Sequence, residues 1–178
     1  MNINLNHYFF TPLLALCFVL LWGCDKGAGY LSIDGETVLN LDYGYHANKE
    51  AIGLGKACWT LYEKQTDKSQ ERPIVCIQAT DSGNGGSLIP ASIVIWNLTG
   101  YSTLYLDEIN KVSDNRYTCQ VRKDETEFTE YTITVDALSS NSSYTYLTAD
   151  ISFTSRAETI RIHFSGPTPD DGKEYALD

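Results

Sequence analysis

The side chains able to do chemistry in this chain are few and scattered. Three histidines stand far apart at His7, His46 and His163. The five cysteines, Cys17, Cys24, Cys58, Cys76 and Cys119, show no C-x-x-C and no Cys/His spacing of a metal site. A nucleophile triad needs a Ser or Cys, a His and an acid brought together. His163 lies on the polar side of an alternating segment beside Arg161 and Ser165, and His46 sits in "DYGYHANKE" near Asp42 and Glu50. Both read as structural residues. Neither G-x-S-x-G nor H-E-x-x-H occurs, and "GLGKA" at 53–57 is too short for a phosphate-cradling loop. Two acidic clusters, Asp124, Glu125, Glu127 and Glu130, then Asp170, Asp171 and Glu174, lack the alternating Asp/Asn pattern of a calcium loop. No catalytic residue and no metal ligand is therefore assigned, and the balance lies against an enzyme.

The most informative reactive residue is Cys24, because of what precedes it. From Tyr8 to Trp22 the chain holds no charged side chain and is interrupted only by Thr11 and Pro12. That run is shorter than the roughly 20 residues a membrane-crossing helix needs and matches the ~7–15-residue apolar region of a secretory signal. The segment ahead of it, "MNINLNH", has no Lys or Arg. Residues 1–23 are read as a signal peptide.

"LWGC" resembles the lipobox of bacterial lipoproteins, with Leu21 three positions before the cysteine, Gly23 directly before it and Cys24 as the acceptor. Trp22 departs from the small or β-branched residue commoner at that place. The resemblance implies cleavage before Cys24, a thioether-linked diacylglycerol on its sulfur and an acyl group on the new amino terminus. Each buried methylene contributes about 0.8 kcal/mol, and two or more chains anchor stably where a single one does not. Residues 24–28 then form the lipidated anchor and a short tether. Asp25 and Lys26 occupy the position of a sorting tag, read differently by different bacteria, so periplasmic and extracellular faces both stay open. An exported chain meets an oxidising compartment. Cys58 and Cys76, on two segments that read as a hairpin, are the pair for a disulfide. The competing reading is that Cys58, Cys76 and Cys119 are buried thiols.

The elements that must carry these residues are strands. "YTITVDA" sets Tyr131, Ile133 and Val135 against Thr132, Thr134 and Asp136, and "ETIRIHFSG" sets Ile160, Ile162 and Phe164 against Thr159, Arg161 and His163. "ASIVIWNL" is apolar on both faces and predicts a central strand with Trp96 in the core. Asp34-Gly35 in "SIDGETV" is a hairpin signal. "DSGNGGS" at 81–87 and "LSSNSS" at 138–143 read as loops. About ten strands are expected, near 29–33, 36–42, 56–63, 73–80, 90–98, 102–107, 115–122, 129–137, 144–154 and 158–165. They predict an all-β domain over 29–166, an antiparallel β-sandwich, with a closed lipocalin-like barrel as the alternative. Residues 167–178 read as a flexible acidic tail.

The removed segment carries no Asp, Glu, Lys or Arg, so the net charge of −10 belongs to the mature domain. Such a charge repels phosphodiester backbones and excludes a nucleic-acid partner. The opening "GYLSIDGETVLNLDYGY", the closing "FSGP" and the lipobox together resemble small exported lipoproteins of the Bacteroidota, mostly β-rich. The resemblance implies an address and a fold, an outer-membrane location included, and no site residues. Aromatics give the functional hint: Tyr43 and Tyr45, Trp59 and Tyr62, Trp96, Tyr101 and Tyr105, and Tyr144 and Tyr146. Rings with a polar tip stack on sugars or peptides when exposed. Tyr43 and Tyr45, in an expected loop, and Tyr101 and Tyr105, near a bend, are the ligand-contact candidates. The functional expectation is a non-catalytic binding or accessory module for glycan or peptide, beside an outer-membrane protein. The alternative is a fimbria-associated assembly component that pairs through an edge strand. No cofactor beyond the lipid at Cys24 is expected.

Overall fold

The computed structural model describes residues 28–47, 56–64, 72–83, 86–96, 98, 103–123 and 127–170. The segment expected to be a signal peptide, Cys24 and Tyr101 lie outside them. Eleven strands form one antiparallel sheet: β1 (Ala28–Ile33), β2 (Glu36–Leu41), β3 (Tyr43–Ala47), β4 (Lys56–Glu63), β5 (Arg72–Asp81), β6 (Leu88–Trp96), β7 (Thr103–Ser113), β8 (Arg116–Lys123), β9 (Glu127–Ser140), β10 (Tyr146–Thr154) and β11 (Thr159–Pro167). The order is β2-β1-β11-β10-β9-β8-β7-β6-β5-β4-β3. The Asp34-Gly35 turn joins β1 to β2 with both residues at positive φ, 50° and 87°, as a two-residue hairpin turn requires.

The strands at the two ends of this order are consecutive in sequence. Residues 36–47 form one extended stretch with Asp42 at its middle. Its first half pairs with β1, Leu41 facing Gly29, and its second half pairs with β4, Tyr43 facing Tyr62. The junction is held where Asp42 N–H donates to the Tyr62 carbonyl (2.9 Å) and Lys64 N–H donates to Asp42 Oδ2 (2.8 Å). The sheet thus returns on itself as a nearly closed barrel. Of the two architectures the sequence allows, the barrel is the one adopted.

Alternation fills this barrel from inside. Trp59, Leu61, Ile77, Ile93, Ile95, Leu104, Leu106, Tyr131, Ile133, Ile151, Phe153, Ile160, Ile162 and Phe164 are all buried and join one core. The interior is therefore packed with side chains, and a ligand would meet the rim or the outer wall. Bulges turn the strands: Ile74 is an extra residue opposite the Leu61–Tyr62 step, which places both Ile74 and Val75 in the core. The β6–β7 ladder covers only Ile93–Trp96 with Thr103–Leu106. Beyond it β9 outruns the β7–β8 hairpin, and Ser139 bridges to Ser87.

Three expectations need correction. Tyr43–Ala47, expected as a loop, is β3. Trp96 is partly exposed, because Ile93 and Ile95 take the inward positions and leave Val94 and Trp96 on the outer face. Within β3, His46 is buried, and its Nδ1 lies 2.8 Å from the Thr168 carbonyl. The segment expected to trail from residue 167 begins as the end of β11. Thr168 is fully buried, and His46 N–H donates to the Pro169 carbonyl at 3.1 Å.

Candidate functional site

At the rim where β5 turns into β6 and β9 into β10, two short loops meet across a depression of about 590 Å³. It is lined by Asp81, Gly83, Gly86, Ser140, Asn141, Ser142 and Tyr144, with Leu88 beneath. The first loop is set by an Asx turn, Gly83 N–H donating to Asp81 Oδ1 at 2.8 Å. Ser82 donates twice to the Ser87 carbonyl, through N–H (3.1 Å) and hydroxyl (2.9 Å). Gly86 docks this loop onto the second. Its carbonyl accepts from Ser140 N–H (2.9 Å), its φ is +95°, and a Cβ there would stand 2.5 Å from the Ser140 carbonyl oxygen. Only glycine fits.

The second loop is held more tightly still. Asn141 Oδ1 accepts from Thr145 N–H (2.8 Å), Asn141 Nδ2 donates to Thr145 Oγ1 (2.9 Å), and Tyr144 N–H donates to the Asn141 carbonyl (3.0 Å). These bonds force Tyr144 to φ +60°, a conformation costly for a residue with a Cβ. The Tyr144 carbonyl then turns inward and accepts from buried Trp59 Nε1–H (3.2 Å) and from the Thr168 hydroxyl (3.1 Å). Its ring rests against the Trp59 indole, centroids 5.9 Å apart. Strain of this kind persists where the surroundings over-determine it, and such places are sites more often than chance. A carboxylate, several hydroxyl and amide groups and one braced aromatic ring therefore converge on one solvent-open depression.

The outer wall carries a second polar group. Arg161 grips Asp150 with two bonds, Nε to Oδ1 at 2.8 Å and Nη2 to Oδ2 at 2.7 Å, and His163 Nδ1 lies 3.3 Å from the same Oδ2. The His163 ring stacks on Tyr30 at 5.2 Å. The guanidinium bond, ahead of the opposing effect of burial, holds the Asp150 carboxyl below its ordinary range. The nearby Ser165 hydroxyl lies 3.3 Å from the Tyr146 hydroxyl. This cluster ties β1, β11 and β10 together as an ion-paired clasp.

Of the tyrosines singled out from the sequence, Tyr43 and Tyr45 spend their faces on each other and on Tyr62. Tyr43 stacks on Tyr62 at 5.3 Å with planes 4° apart, and Tyr45 meets both edge-on at 5.8 and 5.7 Å. Tyr105 lies under the Arg122 guanidinium, 4.7 Å from its centroid. Cys58 and Cys76 stand on neighbouring strands with Sγ atoms 3.2 Å apart, as thiols. Among the described residues, no group of three His, Cys, Asp or Glu side chains converges as a metal site would require.

Both rim loops and Tyr144 are visible in the sequence, but their meeting is not. Their meeting depends on β9 outrunning its neighbours, which no local pattern encodes. Comparisons with protein-family models, characterised proteins and solved structures found no match to this chain.

Proposed function

We propose that this chain is a membrane-anchored lipoprotein whose barrel is a non-catalytic binding module for neutral glycan, taken up at the rim depression around Tyr144. The observation that carries the reading is the braced Tyr144 beside Asp81, Asn141 and Ser142 in an open space of about 590 Å³, within the ~300–1,000 Å³ usual for small-ligand sites. A sugar offers C–H faces that pack on an aromatic ring and paired hydroxyls that donate to a carboxylate. The lining supplies both. Anionic glycans are disfavoured by the net charge of −10.

The lipobox at Leu21–Cys24 supports an anchor that holds this module at a membrane surface. An outer-membrane location beside a transport or assembly protein fits such a module. The alternative, assembly by strand addition, would use edges such as the half of β7 beyond Leu106 or the side of β2 turned away from β1, the only strand with which β2 pairs among the described residues. The β7 edge carries Asp107, Glu108 and Lys111 and two bulges, and β2 carries Glu36 and a bulge at Val38, devices that blunt strand pairing. The glycan reading is preferred on that ground.

The test is an array of neutral and acidic oligosaccharides probed with the full-length chain in mild detergent and with its Asp81→Asn variant. Asparagine keeps the acceptor for Gly83 N–H, so the loop stays formed. A charge-assisted hydrogen bond contributes about 1.5–3 kcal/mol, so the variant should bind at least roughly tenfold more weakly. Wild-type chain that retains no neutral oligosaccharide, or equal retention by the variant, overturns the site.

A further inference from the structure

Cys58 on β4 and Cys76 on β5 share the outer face of adjacent antiparallel strands, yet they are not opposite each other. The register sets Cys58 against Gln78 and Thr60 against Cys76, so the two thiols are diagonal neighbours. Their sulfurs nevertheless approach to 3.2 Å, and both residues are partly exposed. Diagonal positions of an antiparallel ladder lie about 7–8 Å apart, whereas the α-carbons of a disulfide stand about 4.4–6.8 Å apart. From that usual diagonal spacing, closing the pair would draw the two strands closer together. A bond formed under that load, at a partly exposed place, is more easily reduced than a structural one.

We infer that Cys58 and Cys76 form a reversible thiol–disulfide couple on the barrel wall, exchanging with external disulfides, and not a permanent structural bridge. Cys76 is the attacking sulfur: the hydrogen bond with Cys58, outweighing burial, holds its thiol below the ordinary cysteine value. Its thiolate attacks an external disulfide such as oxidised glutathione, forming a mixed disulfide and expelling one glutathione thiolate. Cys58 then gives up its proton and attacks the Cys76 sulfur, and the second glutathione thiolate leaves. Two protein thiols are oxidised to one disulfide, and one glutathione disulfide is reduced to two thiols. Cys119 takes no part. It is buried, its Sγ rests 3.9 Å from the Tyr131 carbonyl, and burial pushes its thiol up to about 12.

The experiment equilibrates the full-length chain, in mild detergent, with glutathione buffers of stepped oxidised-to-reduced ratio. Acid quenching, alkylation and peptide mass spectrometry then read each cysteine. The expected result is a Cys58–Cys76 disulfide at the oxidising end, both thiols alkylated at the reducing end, and the same curve approached from either direction. A Cys58→Ser chain, whose hydroxyl keeps a hydrogen bond to Cys76, should accumulate the mixed disulfide on Cys76, and Cys58→Ala, which loses that bond, should accumulate it more slowly. The inference is overturned if no Cys58–Cys76 bond forms at the most oxidising ratio. It is equally overturned by a bond that survives the most reducing one, or by no trapped adduct on Cys76 in either variant.

Discussion

Residue by residue, the outer wall and the buried thiol make the sharpest claims. Arg161 lowers the Asp150 carboxyl in the folded chain, so the unfolded chain binds the proton more readily. The stabilisation is fully present above the unfolded value of about 3.9 and disappears as pH falls through the lower folded one. Asp150→Asn should therefore cost about 1 kcal/mol in urea unfolding at pH 7, since Arg161 is partly solvated. The gap between variant and parent should close progressively below about pH 4; a gap that is constant with pH would contradict the clasp. Cys119, by contrast, should resist iodoacetamide at pH 8 in the folded chain and react only in denaturant, with peptide mapping as the readout. At this scale the sequence was readable where one pattern sufficed. Asp34-Gly35 announced its turn, and His163 announced its polar face. Tyr144 could not be read, because nothing in a tyrosine codes for positive φ; the cause is the Asn141–Thr145 hydrogen-bond pair four residues apart.

Among the elements, the β9–β10 loop and the end of β11 are one unit. Thr168 donates its N–H to the Thr145 carbonyl (2.8 Å) and its hydroxyl to the Tyr144 carbonyl, while its own carbonyl meets His46. Thr168→Val keeps the shape and removes one bond, and should cost about 1 kcal/mol by chemical denaturation. At Tyr144, Ala and Gly both lose the ring, but glycine also relieves the left-handed backbone. Tyr144→Gly should therefore be more stable than Tyr144→Ala by about 1 kcal/mol. Equal stabilities would mean that the loop relaxes and that the positive φ is not imposed. Most strands were legible as elements, since period-two alternation with buried Ile and Phe positions leaves little choice. β3 escaped because Tyr43–Ala47 is short, holds a glycine and has its inward positions filled by Gly44 and His46 instead of apolar bulk. Trp96 misled because a run apolar on both faces hides which face turns inward.

For the whole molecule, all-β architecture followed from strand number and punctuation, whereas closure did not. It rests on a single stretch, residues 36–47, sharing its two halves between β1 and β4, and a sandwich and a barrel have the same local signature until that sharing is seen. The packed interior then moves the search for a ligand from the lumen to the rim. The anchor is a claim at this scale too. Cys24→Ala should shift the chain from the membrane to the soluble fraction on ultracentrifugation, and continued sedimentation with membranes would contradict lipid anchoring at that residue. The central claim, that the rim depression takes neutral glycan, is tested most directly by blocking it. Ser142→Trp fills the depression from an exposed loop position without touching the barrel core. Retention of the full-length wild-type chain on a neutral-oligosaccharide array, lost on introducing Ser142→Trp at unchanged melting temperature, is the predicted result. Retention unaffected by that tryptophan would place any binding elsewhere on the molecule and contradict the account.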